Sequence, residues 1–256
     1  MNAVRGILAV AGFQIRRMLA PQRLLVAAVG AAFPAAVMLA ARRIAGGLDR
    51  DFGVVLLYAL VPEAVCLLGL LVTMCPVVAD ELERGTWQHV VVRPGGRRSL
   101  LLGTFVAAVT WTAGVACCSL VLTLAAAGLP GSMRLGGMFS VLVLLSCLGR
   151  AALFALPAVI VPKRALVASV GAALVVEYLA GFLPAIVNQA TVSLRLRSLL
   201  VEWMGWRRNL PDTLRLFVDE SPPTVHVTAV LVLTAALLTV AGVILSRRQF
   251  PPAEES

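Results

Sequence analysis

Three ionisable residues, Glu63, Arg150 and Glu177, stand inside long apolar runs of this 256-residue chain. A charge in lipid is expensive and therefore faces a bundle interior, a pathway or an opposite charge. Arg150 is expected to pair with Glu177 or Glu63 and lock helices together; lining a substrate route is the alternative, and the structural pair is preferred. Other chemistry is sparse. The two histidines, His89 and His226, are far apart, and no His-Glu-x-x-His occurs. Neither a Gly-x-Ser-x-Gly elbow nor a Gly-x-x-x-x-Gly-Lys-Ser/Thr phosphate loop is present, and Pro94-Gly95-Gly96-Arg97 is a turn without that spacing. The five cysteines, Cys66, Cys75, Cys117, Cys118 and Cys147, fall within apolar runs, where they act as small apolar residues. No catalytic residue, metal ligand or bound cofactor is expected of this chain.

The elements that position those charges follow from composition. The chain is 60% hydrophobic and 14% charged, against about 45–50% and about 25% for an ordinary soluble domain. That excess excludes a disordered chain or a disulfide-stapled module and points to lipid as the solvent. Hydrocarbon about 30 Å thick needs about 20 apolar residues in helix. Six stretches qualify, at about 24–41, 52–78, 100–129, 136–161, 165–183 and 225–245. Lacking sheet-like alternation, they must satisfy their backbone groups as helices. The expected fold is all-α, a polytopic membrane protein with six transmembrane helices in one transmembrane domain over 1–256. Within 1–22, Val4, Ile7, Leu8, Ala11, Ile15 and Met18 recur at helical spacing, interrupted by Arg5, Gln14, Arg16 and Arg17. This reads as an N-terminal interfacial amphipathic helix, with a signal peptide as the competing reading. Residues 184–221 form a long outer link, in which Val192, Leu194, Leu196, Leu199 and Leu200 interleave with Arg195 and Arg197 ahead of Trp203 and Trp206. Short helices lying in or dipping into the outer leaflet are expected there.

The net charge of +9 comes from 22 basic residues, of which all but Lys163 are Arg. They sit in pairs between apolar runs rather than in one stripe, which excludes a nucleic-acid surface and reads as membrane-edge anchoring. With both termini inside, twelve basic residues fall on inner segments and nine on outer ones, a weak preference for cytoplasmic termini.

Residues 79–99 are the most distinctive stretch. Asp80-Glu81-Leu82-Glu83-Arg84-Gly85-Thr86-Trp87-Gln88-His89 is followed by Val90, Val91, Val92, Arg93, Pro94 and two glycines, then Arg97-Arg98. This is a polar helical piece, a Gly-Thr break, a short apolar turn and a Pro-Gly-Gly reversal. Thr86 is expected to cap the short helix through the N–H of Gln88 or His89, with Trp87, Val90 and Val91 on one face. A compact element with acids at one end and Arg at the other suits docking onto another protein.

The pattern resembles the membrane subunits of type 2 ATP-binding-cassette (ABC) exporters. There, an acidic pair follows the second span, then Glu-x-Gly-Thr, a short apolar helix, a Pro, an Arg and a Leu-rich helix start. Glu83, Gly85, Thr86, Pro94, Arg97 and Gly103 match in order and spacing. Thr104 stands where that family commonly has Lys, and Trp87-Gln88-His89 replaces a more usual aliphatic turn. The resemblance implies that Asp80, Glu81, Glu83, Gly85, Thr86, Trp87, Pro94 and Arg97 form a cytoplasmic segment contacting a separate ABC ATPase subunit, two copies per complex. It further implies a second permease subunit, identical or related, and ATP and Mg bound by the ATPase partner. The cargo would be hydrophobic or amphipathic, the location the cytoplasmic membrane of a bacterium, with no nucleic-acid partner. Two rivals come from other classes: a non-transporting immunity or regulatory membrane factor, and a membrane-embedded enzyme.

Overall fold

Helices account for the architecture because apolar residues run through every long segment without strand periodicity, and among the described residues there is no strand. The computed structural model describes residues 3–83, 85–92, 95–128, 130–179, 191–209, 218–219 and 221–249. In chain order the helices are α1 (Ala3–Met18), α2 (Pro21–Ile44), α3 (Arg50–Val77), α4 (Ala79–Glu83), α5 (Trp87–Val92), α6 (Gly96–Ala127) and α7 (Ser132–Ile160). Then follow α8 (Ala165–Ala172, continued as π turns over Ala173–Leu179), α9 (Val192–Met204) and α10 (Pro223–Arg247).

Among the described residues, five helices are long and apolar enough to cross a membrane: α2, α3, α6, α7 and α10, with mean hydropathy between 2.0 and 2.5. Of the stretch expected at 165–183, the described part consists of 8 α-helical and 7 π-helical residues, and residues 180–183 lie outside the described ones. The third and last long helices extend beyond the expected ends, to Gly96 and Arg247, because polar residues continue a helix past the apolar run that nucleates it.

The most enclosed helix is α7, packed by α3, α6, α8, α9 and α10. Its core-facing residues include Phe139, Leu142, Cys147, Phe154 and Val159, none exposed. In contrast, α2 and α10 lie at the margin, and α2 presents Leu25, Val26, Val29 and Phe33 outward. An apolar outer surface matches a lipid solvent, in which hydrophobic burial gives no drive and close packing matters more. Helix α1 packs on α6 where Gly103 has no side chain: a Cβ there would lie 2.6 Å from Val10 Cβ and 2.9 Å from the Ile7 carbonyl. The apolar residues of α1 divide between two faces, Ala11 and Met18 against the bundle, Val4 and Leu8 exposed.

The paired arginines do more than mark helix ends. The last four carbonyls of a helix lack intrahelical partners and carry the negative end of its dipole. Arg42 donates to the Ala126 carbonyl at the end of α6 (3.3 Å). Arg97 donates to the carbonyls of Leu245 (3.1 Å), Ser246 (2.8 Å) and Arg248 (3.1 Å), closing α10. Arg248 in turn donates to Val159 (3.3 Å) and Ile160 at the end of α7. Each guanidinium thus caps a helix other than its own.

In the link before α10, α9 is not a surface helix. Val192, Leu194, Leu196, Leu199 and Leu200 are buried against α7 and α10, and Trp206 beyond its end donates to Asp51 at the start of α3 (2.9 Å). Further along, Asp219 accepts from Arg195 (2.5 Å) and from the Ser221 amide and hydroxyl (3.2 and 3.0 Å), while its own amide donates to Ser198 (2.9 Å). Burial pushes the Asp219 carboxyl up, but the Ser221 hydrogen bonds and the Arg195 charge outweigh it and hold the group below its ordinary 3.8. A depressed carboxyl gives stability that is complete above the unfolded value and lost as pH falls through the folded one. Thermal melting of the detergent-solubilised protein is therefore expected to weaken below about pH 4, and Asp219→Asn should remove that part of the acid sensitivity. An identical acid profile in the variant would refute the clamp.

Candidate functional site

The three charges of the apolar runs converge, and backbone irregularity is what brings them together. Proline lacks the N–H that would continue the ladder, and around Pro62 helix α3 relaxes into π turns over Ala59–Val65. The Cys66 amide donates to the carbonyls of Glu63 and Val61, not to that of Pro62. The freed Pro62 carbonyl accepts instead from Ser146 Oγ (2.7 Å) and Arg150 Nη1 (2.6 Å) on α7. Arg150 Nη1 also donates to Ser146 Oγ (2.7 Å), one helical turn back on its own helix.

The other Arg150 nitrogen, Nη2, forms an ion pair with Glu63 Oε2, donates to Ser193 Oγ (3.1 Å) and lies 3.7 Å from Glu177 Oε2. Tyr58 donates its hydroxyl to Glu63 Oε1 (2.7 Å). Glu177, on the π-helical part of α8, accepts from the amides of Val192 (3.2 Å) and Ser193 (2.9 Å) and from the Ser193 hydroxyl. A carboxylate thereby sits on the positive end of α9, where first-turn amides have no intrahelical acceptor, while Thr191 caps the Leu194 amide (3.3 Å). Side-chain exposure is 0% for Arg150, 1% for Glu177 and 14% for Glu63. Among the described residues, Nε is the one nitrogen of this guanidinium without a hydrogen-bond partner.

This constellation joins α3, α7, α8 and α9 through one cation. Both Nη atoms of that cation are engaged by protein groups, which suits a lock more than a reaction centre. Tyr58, Ser146, Ser193 and the Pro62 carbonyl were not singled out from the sequence. Ser146 was legible in principle, four residues before Arg150 on one helix face. Tyr58 was not, because five residues separate it from Glu63 and only π turns bring such a pair together. Among the described residues no group of His, Cys, Asp and Glu is arranged to hold a metal ion.

The second candidate is the described part of residues 79–99, at the end of the bundle where α1, the last turn of α3, the start of α6 and the end of α10 meet. Asp80 pairs with Arg17 of α1 (2.7 Å). The Thr86 hydroxyl donates to Glu81 Oε2 (2.5 Å) and to the Glu81 carbonyl (3.3 Å). The expected side-chain cap on α5 is thus replaced by a clasp to α4; only the Thr86 carbonyl starts α5, accepting from His89 and Val90 (3.0 and 3.4 Å). The clasp needs a chain reversal, made at Gly85 with φ +67°, a conformation cheap for glycine. Trp87 is buried, and the Arg97 guanidinium lies 5.9 Å from its ring centroid, within cation–π range. Glu83, Gly85, Gln88, His89 and Val92 face outward. Pro94 lies outside the described residues, as does the Val91 side chain.

The chain matches no protein-family model and no curated protein at a significant level.

Proposed function

We propose that this multi-pass helical chain is the membrane-spanning permease subunit of an ABC exporter. The observation that carries the reading is the 79–92 segment: a clasped pair of short helices held by Trp87, Arg97 and the Arg17–Asp80 pair, with Glu83, Gln88, His89 and Val92 left outward. Its anchors reach α1 and the capped end of α10, so a push on α4 and α5 is delivered to helices at both edges of the bundle. Such a surface serves a separate ATPase that binds ATP and Mg. In this reading residues 165–183 supply a sixth crossing, α1 lies at the membrane interface, and both termini face the cytoplasm of a bacterium. Two permeases, identical or related, enclose a route for hydrophobic or amphipathic cargo and carry two ATPase subunits. The Arg150 cluster is the lock that keeps α3, α7, α8 and α9 moving together.

Capture of the tagged chain from native membranes is expected to bring down a nucleotide-binding subunit. Gly85→Val, strained at positive φ, and Glu83→Ala should reduce that capture without loss of folded permease. Finding no such subunit, with export or resistance unchanged in both variants, would favour the non-transporting membrane factor.

A further inference from the structure

The junction of α1 and α2 encloses a small polar recess at the same end of the bundle as residues 79–92. Its polar lining comes from Gln14 of α1, Arg23 of α2, Thr73 of α3, Asp80 of α4 and Thr104 of α6. The closed end holds about 10 Å³, room for one water molecule. Thr104 is 2% exposed, and its hydroxyl has no hydrogen-bond partner among the described residues. A buried hydroxyl left unsatisfied costs free energy that a polar guest would recover.

The charges at the mouth are unequal. Asp80 and Arg17 neutralise each other at 2.7 Å. Arg23 is exposed and makes no ion pair among the described residues, so the mouth carries one uncompensated cation. Beyond it the wall turns apolar and outward: Val72 and, one helical turn before it, Leu68 on α3 are 63% and 60% exposed. One anion-seeking guanidinium beside an amide, with lipid-facing aliphatic walls leading away, is the recognition chemistry of an anion joined to acyl chains.

From this arrangement we infer that the recess binds the phosphodiester of a membrane glycerophospholipid. Arg23 and the Gln14 amide hold the phosphate oxygens at the mouth, a water behind them reaches Thr104, and the acyl chains run along Leu68 and Val72. The site wedges a lipid between α1, α2 and α3, next to the Arg17–Asp80 contact. It depends on the membrane setting of the chain and not on the identity of any ATPase partner.

The test is a native mass-spectrometric titration of the full-length, delipidated protein with dioleoyl phosphatidylglycerol, dioleoylglycerol and inorganic phosphate. Phosphatidylglycerol should bind at one saturable site, while dioleoylglycerol, lacking the phosphate, and inorganic phosphate, lacking the chains, should each bind far more weakly. Arg23→Gln should weaken phosphatidylglycerol about tenfold, the worth of one charge-assisted hydrogen bond. Arg43→Gln, an exposed arginine at the opposite end, should leave it unchanged, and unaltered thermal midpoints certify that both variants are folded. Equal binding of dioleoylglycerol, tight binding of free phosphate alone, or undiminished lipid binding by Arg23→Gln would each overturn the assignment.

Discussion

Arg150→Leu is expected to lower the yield and thermal midpoint of detergent-extracted protein more than any other single substitution in the bundle. The variant strips the shared partner from Glu63 and Glu177 and leaves two carboxylates in a site where Arg150 and Glu177 are almost wholly buried. Removing one partner of a buried pair costs about 3–5 kcal/mol, mostly the desolvation of the stranded charge. Ser146, Ser193 and the Pro62 carbonyl each lose a donor as well. The damage should therefore reach four helices together. Two companions separate charge from shape. Arg150→Lys keeps the cation but cannot span Pro62, Ser146, Glu63 and Ser193 at once, so it should recover only part of the loss. Glu63→Gln leaves Arg150 near Glu177 and keeps an acceptor for Tyr58, so it should be milder than Arg150→Leu. Unchanged yield and melting in Arg150→Leu would mean that the cluster does not hold the helices.

The second large effect is expected at Gly103→Val. The first added carbon alone would meet Val10 Cβ at 2.6 Å and the Ile7 carbonyl at 2.9 Å. A side chain can rotate away, but a backbone carbonyl in mid-helix can retreat only if α1 moves. Overpacking of this kind costs about 1–3 kcal/mol, and the strain is relieved by lifting α1 off α6. Because Arg17 of α1 holds Asp80, that displacement should also disturb residues 79–92, with protease nicking near the α1–α2 junction as its signature. Gly12→Val is the control, since a Cβ at Gly12 meets nothing within 4 Å. Equal proteolysis and melting of the two variants would show that α1 is not seated on Gly103.

Much of the architecture was legible because hydrophobic length is a one-dimensional property. Five of the expected apolar runs are helices of crossing length, and a run needs no partner to declare itself. The run at 165–183 was legible as an apolar helix, but its passage into π turns at Ala173 was not, because composition does not report helix type. Likewise the Gly-Thr break after Glu83 announced a reversal, but which way the Thr86 hydroxyl would turn depended on where Glu81 lay after the chain had folded back.

By itself the sequence determined that the chain is helical, apolar enough for a membrane, and burdened with three charges that must be answered inside it. Only the tertiary structure decided how they are answered. Arg150 meets Glu63 and approaches Glu177 because Pro62 forfeits a ladder bond and exposes its carbonyl to α7, and because the start of α9 is delivered to Glu177 from fifteen residues away. The arginines at the helix ends were visible as charges, but their targets were not: Arg42, Arg97 and Arg248 each satisfy carbonyls of a helix distant in sequence. Periodicity reports how a segment relates to its solvent, whereas pairing reports how it relates to segments brought beside it by folding.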